Sequence, residues 1–333
     1  MMRDKQLYKK RGISKMKYIV TGVDGQLGRR VAQNMLEHVD GNALIFTAPN
    51  LNRIPREVLN KWKSEGVEIR EGNYDDKEGL QKAFDGGTRI FFVSSVLNGA
   101  QRVAQHKNVI DACKAAGVRH ITYTSFLGAN RAGYNQYVLP DHRATEKYLT
   151  ESGVEYNIMR NNLYMENYLT TSVMLAMLSN NVWGTTAGEG KATYIAKDDS
   201  AACAAALLLG NGEKNTGYDL TSLNPVSQRE ICAMIREKSQ IDFKYAPMNS
   251  DEYYQYLDAL NIPRTTDGDT SKAPVLWCSN DMVTNEAGIA EGQMGIISHD
   301  VEKLLGRKPL EVADLLERYS YIWKEKVDHW SKI

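Results

Sequence analysis

Three features of the sequence predict an α/β fold, a doubly wound parallel sheet followed by a smaller C-terminal α+β lobe. Apolar runs of strand length alternate with helical patterns through the first half of the chain, and each run ends in small polar residues. The first run, Tyr18-Ile19-Val20-Thr21, passes through a glycine-spaced turn, Gly22-Val23-Asp24-Gly25-Gln26-Leu27-Gly28, straight into a helical pattern. Beyond Tyr168 the alternation fails, and charged helices such as 227–239 alternate with irregular stretches, as in a lobe that shapes a substrate site.

The opening turn reads as strand, phosphate loop, helix. Gly22 permits the tight bend, Gly25 lets a pyrophosphate approach the backbone, and Gly28 lets the helix predicted over 27–38 pack on the strand. The N–H groups of the helix's first turn then face the anion, so Gly22, Asp24, Gly25, Gln26, Leu27 and Gly28 are the candidate phosphate-binding residues. Asp24 puts a carboxylate inside this loop. Beside a pyrophosphate it is repulsive unless it points away or accepts from the loop's own N–H groups, and the second arrangement is expected.

The second strand is predicted over 42–48, and cofactor choice is read at its end. An acid there would hold the ribose hydroxyls of NAD, whereas a neutral or basic end tolerates the 2′-phosphate of NADP. Pro49, Asn50, Leu51, Asn52 and Arg53 follow, with no acid between Asp40 and Glu57, which favours NADP through Asn50 or Arg53 and leaves NAD possible. A helix over 56–65 leads to a short strand from Val67 and an acidic turn, where Asp75 or Asp76 caps a helix over 77–84.

Arg89-Ile90-Phe91-Phe92-Val93-Ser94-Ser95 is a strand buried on both faces, whose serines end at the sheet edge where a ligand lies. A helix over 101–116, capped by Gly117, and a strand over 121–125 complete four successive units of a Rossmann-type sheet. A helix over 141–152 and a strand over 156–160 then open into Asn161-Asn162-Leu163-Tyr164-Met165-Glu166-Asn167-Tyr168. The expected organisation is a disordered leader over 1–15, an NAD(P)-binding domain over 16–160 and a substrate lobe over 161–333 with segments returning to the sheet. The polar stretch 265–271 reads as a surface loop.

Composition narrows the partners. Lys+Arg and Asp+Glu balance at 41 each in 333 residues, which gives no electrostatic reason to expect nucleic acid or a membrane surface. No apolar run reaches the roughly 18 residues needed to cross a bilayer. Cys113, Cys203, Cys232 and Cys278 lack metal-site or Cys-x-x-Cys spacing and read as buried or free thiols, so a reducing cytoplasm is expected and no metal. Oligomeric state is not written in the sequence.

The glycine triplet, Phe91-Phe92-Val93-Ser94-Ser95, Gln105-His106-Lys107-Asn108-Val109-Ile110-Asp111-Ala112, Gly117-Val118-Arg119-His120-Ile121, Tyr123-Thr124-Ser125, Arg160-Asn161 through Tyr168, and 298–309 together resemble the NmrA-like atypical short-chain dehydrogenase/reductases. The likeness is greatest to their bacterial NADPH:quinone oxidoreductase and triphenylmethane-reductase branch and covers nearly all of 16–318. It implies that Ser94 and Ser95 lie along the adenosine side of the dinucleotide, that Thr124, Ser125, Asn161, Asn162 and Leu163 frame the nicotinamide, and that Tyr164 and Asn167 face it. One departure is plain: where family members often place an Arg after the second strand, this chain has Thr47-Ala48-Pro49-Asn50.

Classical members of the wider superfamily pass a proton through Tyr-x-x-x-Lys, and no such spacing occurs in this chain. That weakens alcohol dehydrogenation and sugar epimerisation. Reduction of a quinone or similar conjugated small molecule needs the relay less, because the acceptor is already a strong electrophile and hydride transfer rests on positioning. His142 and Glu146, one helical turn apart near the place of the missing pair, are a candidate substitute donor, with a surface position for His142 as the simpler reading. The expectation is an NAD(P)H-dependent reductase with Tyr164, Asn167 and His142 as candidate catalytic residues; the competing one is a non-catalytic NAD(P)-binding redox sensor.

Overall fold

The computed structural model describes residues 16–333; the leader expected over 1–15 lies outside the described residues. Strands β1 (Tyr18–Thr21), β2 (Leu44–Ala48), β3 (Glu68–Glu71), β4 (Arg89–Phe92), β5 (His120–Phe126) and β6 (Glu155–Asn161) join Thr216–Leu220 in one seven-stranded sheet. Its order, β3-β2-β1-β4-β5-β6 and then Thr216–Leu220, reverses direction at β1, as in a doubly wound Rossmann-type sheet. The order follows from the sequence through burial. In the parallel ladders Ile19 pairs with Ile45 and with Ile90, and Ile90 pairs with Ile121. The four isoleucines form one row of a core that also takes Leu80 and Phe84 from α3 (Lys77–Phe84, after α1, Gln26–His38, and α2, Arg56–Ser64) and Val109 and Ile110 from α4 (Gly99–Ala115). Asp76 caps α3 by accepting from the N–H of Gly79 at 2.9 Å.

The chain divides into two compact units, interleaved rather than consecutive. The first comprises residues up to Ser125, Asp141–Arg160 and Asp198–Tyr218; the second comprises Phe126–Pro140, Asn161–Lys197 and Asp219–Ile333. The expected break after residue 160 is one of these crossings, while 126–140 belongs to the second unit and 198–218 to the first. The stretch 265–271 carries neither helix nor strand. All four cysteines are buried, and none is in a disulfide among the described residues. Among the described residues no helix is long and apolar enough to cross a membrane.

The second unit has its own core, which includes Trp183, Tyr194, Leu257, Ile289 and Ile322. Against this core lies a buried carboxyl group, Glu286. Thr185 Oγ1 donates to its Oε2 at 2.5 Å, Gln228 donates to the same oxygen, and Trp183 Nε1 holds Gln228 Oε1 at 3.0 Å. Burial pushes the Glu286 carboxyl up to about 7, against the opposing pull of these donors. A pKa raised on folding means that the native state holds a proton the unfolded chain releases. The associated stability is complete below about pH 4.5 and is lost as the pH rises to about 7. Thermal melts across this window should therefore fall with pH in the native chain and much less in Glu286→Gln; parallel slopes would show that Glu286 does not titrate there.

Candidate functional site

The glycine turn is built by close packing. Gly22 has φ +64°, in the left-handed region, and a Cβ on it would lie 2.5 Å from Val93 Cγ1. A Cβ on Gly28 would run into the carbonyl groups of Gly22 and Thr21, so α1 can lie this close to β1 only with glycine there. Gly25 differs. It has φ −94°, open to any residue, and the nearest atom to a Cβ on it would be Gly22 O at 3.4 Å. No protein atom requires glycine at 25, and the space beside it is open. Gly25 is also the N-cap of α1, no side chain caps that helix, and its first turn carries no acid. Gln26 is exposed and Leu27 half-buried at its start. An anion such as a pyrophosphate fits such a helix start, and the residues present fit a dinucleotide.

The turn is tied to its neighbours by a small network the sequence did not announce. Thr21 Oγ1 accepts from the N–H of Val93 at 3.1 Å and lies 2.7 Å from Tyr74 Oη, which donates to Val93 O at 3.0 Å. Burial raises the Tyr74 phenol far above its ordinary range. From sequence, Asp24 is expected to accept from the loop's own N–H groups; its carboxylate instead forms an ion pair with Arg53 at 3.3 Å. Asn50 accepts from the N–H of Asn52 at 3.0 Å, closing the turn Leu51–Arg53.

At the carboxyl ends of β4 and β5 the expected hydroxyl groups already have partners within the first unit. Ser94 donates its N–H to Thr124 Oγ1 at 2.7 Å, and Ser95 donates its N–H to His106 Nε2 at 3.0 Å and its hydroxyl to Gln105 at 2.5 Å. Ser125 donates to Glu146 Oε1 at 2.6 Å, and Arg160 grips both oxygens of that carboxylate, its Nη2 at 2.7 Å from Oε2. Glu146 is therefore the anchor of Ser125 and Arg160.

The structure corrects the surface reading of His142. It is 4% exposed, and its Nδ1 lies 2.7 Å from Tyr123 Oη. Burial, with Arg102 and His106 nearby, drives its pKa well below 6.5, which favours the uncharged ring. His106, whose Nδ1 lies 2.8 Å from Thr145 Oγ1, is lowered in the same way. The His106 ring also holds backbone in place, its Nε2 accepting from the N–H of Ser95.

In the second unit the side chain of Asn162 is engaged by the protein itself. Its amide donates to Thr193 O, Thr193 Oγ1 and Met294 O at 2.9–3.0 Å, which satisfies its N–H groups, and accepts from the N–H of Leu163 at 2.8 Å. Leu163 is 7% exposed and packs in the core. Asn161 accepts from the N–H of Leu127 at 2.9 Å through its carbonyl. Tyr164 and Asn167 are brought together by a residue that the sequence reading missed. Lys197 Nζ donates to Asn167 Oδ1 at 3.1 Å and sits 5.4 Å from the centre of the Tyr164 ring. Lys197 is 8% exposed, and its own N–H is held by both oxygens of the buried Glu166 at 2.9 and 3.0 Å. Its signal was its place at the first position of α8 (Lys197–Leu208, after α5, Leu139–Glu151, α6, Met165–Leu169, and α7, Thr171–Leu178), where a cation opposes the helix dipole.

Sheet order, glycine turn and uncapped helix start mark an α/β protein of the dinucleotide-binding class. More particularly, the chain belongs to the NmrA-like family, whose profile matches residues 14–269. It is 28% identical to quinone oxidoreductase 2 of Escherichia coli (strain K12) over 295 residues, covering 89% of this chain and 96% of that protein. It is similar to the crystal structure of the E. coli NADPH-dependent quinone oxidoreductase complexed with NADPH, with TM-score 0.77, 27% identity and coverage of 90% and 99%. It is likewise similar to Citrobacter sp. triphenylmethane reductase complexed with NADP(H), with TM-score 0.76, 26% identity and coverage of 91% and 100%.

The glycines can be told apart by substitution. Gly28→Ala should lower stability by roughly 1–3 kcal/mol through overpacking. Gly25→Ala should melt close to the native chain yet bind ADP roughly tenfold more weakly, as charge-assisted contacts to the backbone are lost. Melting curves and calorimetric ADP titrations of both variants check this.

Proposed function

We propose that this protein is an NAD(P)H-dependent reductase that delivers hydride to a quinone or a similarly conjugated small molecule. The observation that carries the reading is Gly25, a glycine that the protein's own packing does not require, at an uncapped helix start in a dinucleotide fold. When bound, the nicotinamide supplies the hydride. Gly22 shapes the turn, Gly25 lets the pyrophosphate approach, and Gln26, Leu27 and Gly28 meet it with the N–H groups of the first turn of α1. Ser94 and Ser95, fixed by Thr124, His106 and Gln105, shape the adenosine side, and Ser125, fixed by Glu146, shapes the nicotinamide side. NADP is the favoured dinucleotide, as in the relatives crystallised with it.

A quinone that accepts hydride becomes an anion and then takes a proton. Lys197 answers both needs: its ammonium, held by Asn167 and set against the Tyr164 ring, offers positive charge to the anion and a proton to its oxygen. The absence of Tyr-x-x-x-Lys and the neutral state of His142 and His106 both favour an acceptor electrophilic enough to react without a tuned phenol.

Purified protein should oxidise NADPH faster when a small benzoquinone or naphthoquinone is added. Lys197→Met should lower kcat by about 10–100-fold while leaving the Kd for NADP unchanged. If the protein binds the dinucleotide but no quinone or triphenylmethane dye stimulates turnover, the reductase reading fails and a dinucleotide-binding regulator takes its place.

A further inference from the structure

We propose that the Asp24–Arg53 ion pair restrains this chain's preference for dinucleotides that carry a 2′-phosphate, an inference that rests on the dinucleotide reading above. In folds of this type the adenosine ribose is read at the end of the second strand. Here β2 ends at Ala48, and the residues beyond it are largely committed: Asn50 accepts from Asn52, and the turn closes at Arg53. Arg53 presents a half-exposed guanidinium at this edge, 3.3 Å from Asp24, a carboxylate whose side chain is only 7% exposed and which lies inside the phosphate loop. A second guanidinium stands beside them, since Arg29 Nη2 donates to Asp24 O at 3.4 Å. Arg29 Nε is buried and has no hydrogen-bond partner among the described residues.

Two arginines and one acid thus share the edge, and the acid decides how much of the positive charge a ligand meets. A 2′-phosphate, a dianion, would have to draw Arg53 away from Asp24 and would face the carboxylate itself. A free ribose hydroxyl can instead donate to that carboxylate at no such penalty. The native chain therefore favours the 2′-phosphate less than its arginines alone would, and Asp24, rather than a missing arginine, is what weakens the preference. Removing the charge of Asp24 releases Arg53 for the phosphate.

The test is binding of 2′,5′-ADP and of ADP, measured by calorimetry on the native chain, Asp24→Asn, Arg53→Gln and the double variant. Asp24→Asn should raise the ratio of 2′,5′-ADP to ADP affinity about tenfold or more, the effect of roughly one 1.4 kcal/mol charge contact. Arg53→Gln should lower the ratio with ADP binding unchanged, and the double variant should lose the gain. A merely structural role for Asp24 would move both affinities together. An unchanged or lowered ratio in Asp24→Asn overturns the proposal while leaving the dinucleotide reading intact; failure of the native chain to bind either ligand overturns both.

Discussion

The first unit depends on how closely α1 lies against β1. At Gly28 no side chain separates the helix from the carbonyl groups of Thr21 and Gly22, and that approach fixes where the helix start points. Thr21, Tyr74 and Val93 lock the same corner from the other side, joining the ends of β1 and β4 at the point where the strand order reverses. The loop between has little freedom left. Its backbone N–H groups are arranged before any anion arrives, so binding need not pay the entropy of ordering them.

Beneath the carboxyl edge of the sheet, the polar residues of the first unit are partners of one another. His106, His142, Tyr123 and Thr145 make one buried network, and Ser125, Glu146 and Arg160 make another. Buried polar groups of this kind are stable only when satisfied, and satisfaction fixes their geometry. The same desolvation favours the uncharged form of both histidines. His106 holds the N–H of Ser95, and His142 meets the hydroxyl of Tyr123.

The regular parts of the fold were legible because they rest on local pattern. Strand burial, helix caps such as Asp76, and the different roles of the three glycines could all be read from spacing. What could not be read were partners distant in sequence. Arg53 and Asp24 are 29 positions apart, and neither residue's type announces the other. Asn162 reads as a polar ligand, whereas its amide N–H groups are taken by Thr193 and Met294. His142 reads as surface because its helix has charged neighbours, yet it is the face turned to the sheet that carries it. Interleaving of the two units was hidden for the same reason: 126–140 and 198–218 change unit without any change of composition.

Lys197 shows what such hidden partners make possible. A cation at the first position of a helix opposes the dipole, and burying it adds desolvation. The position is tolerated because Glu166 accepts the N–H of Lys197 with both carboxylate oxygens, placing negative charge at the helix start, while Asn167 accepts from the ammonium. A lysine on the surface could have found water with no such support. Here the ammonium is kept nearly dry against the Tyr164 ring, so its charge is poorly screened and fixed in direction. In a chain that lacks a tyrosine–lysine relay, Lys197 is thus a cation whose place beside Tyr164 and Asn167 is fixed by the protein's own acceptors.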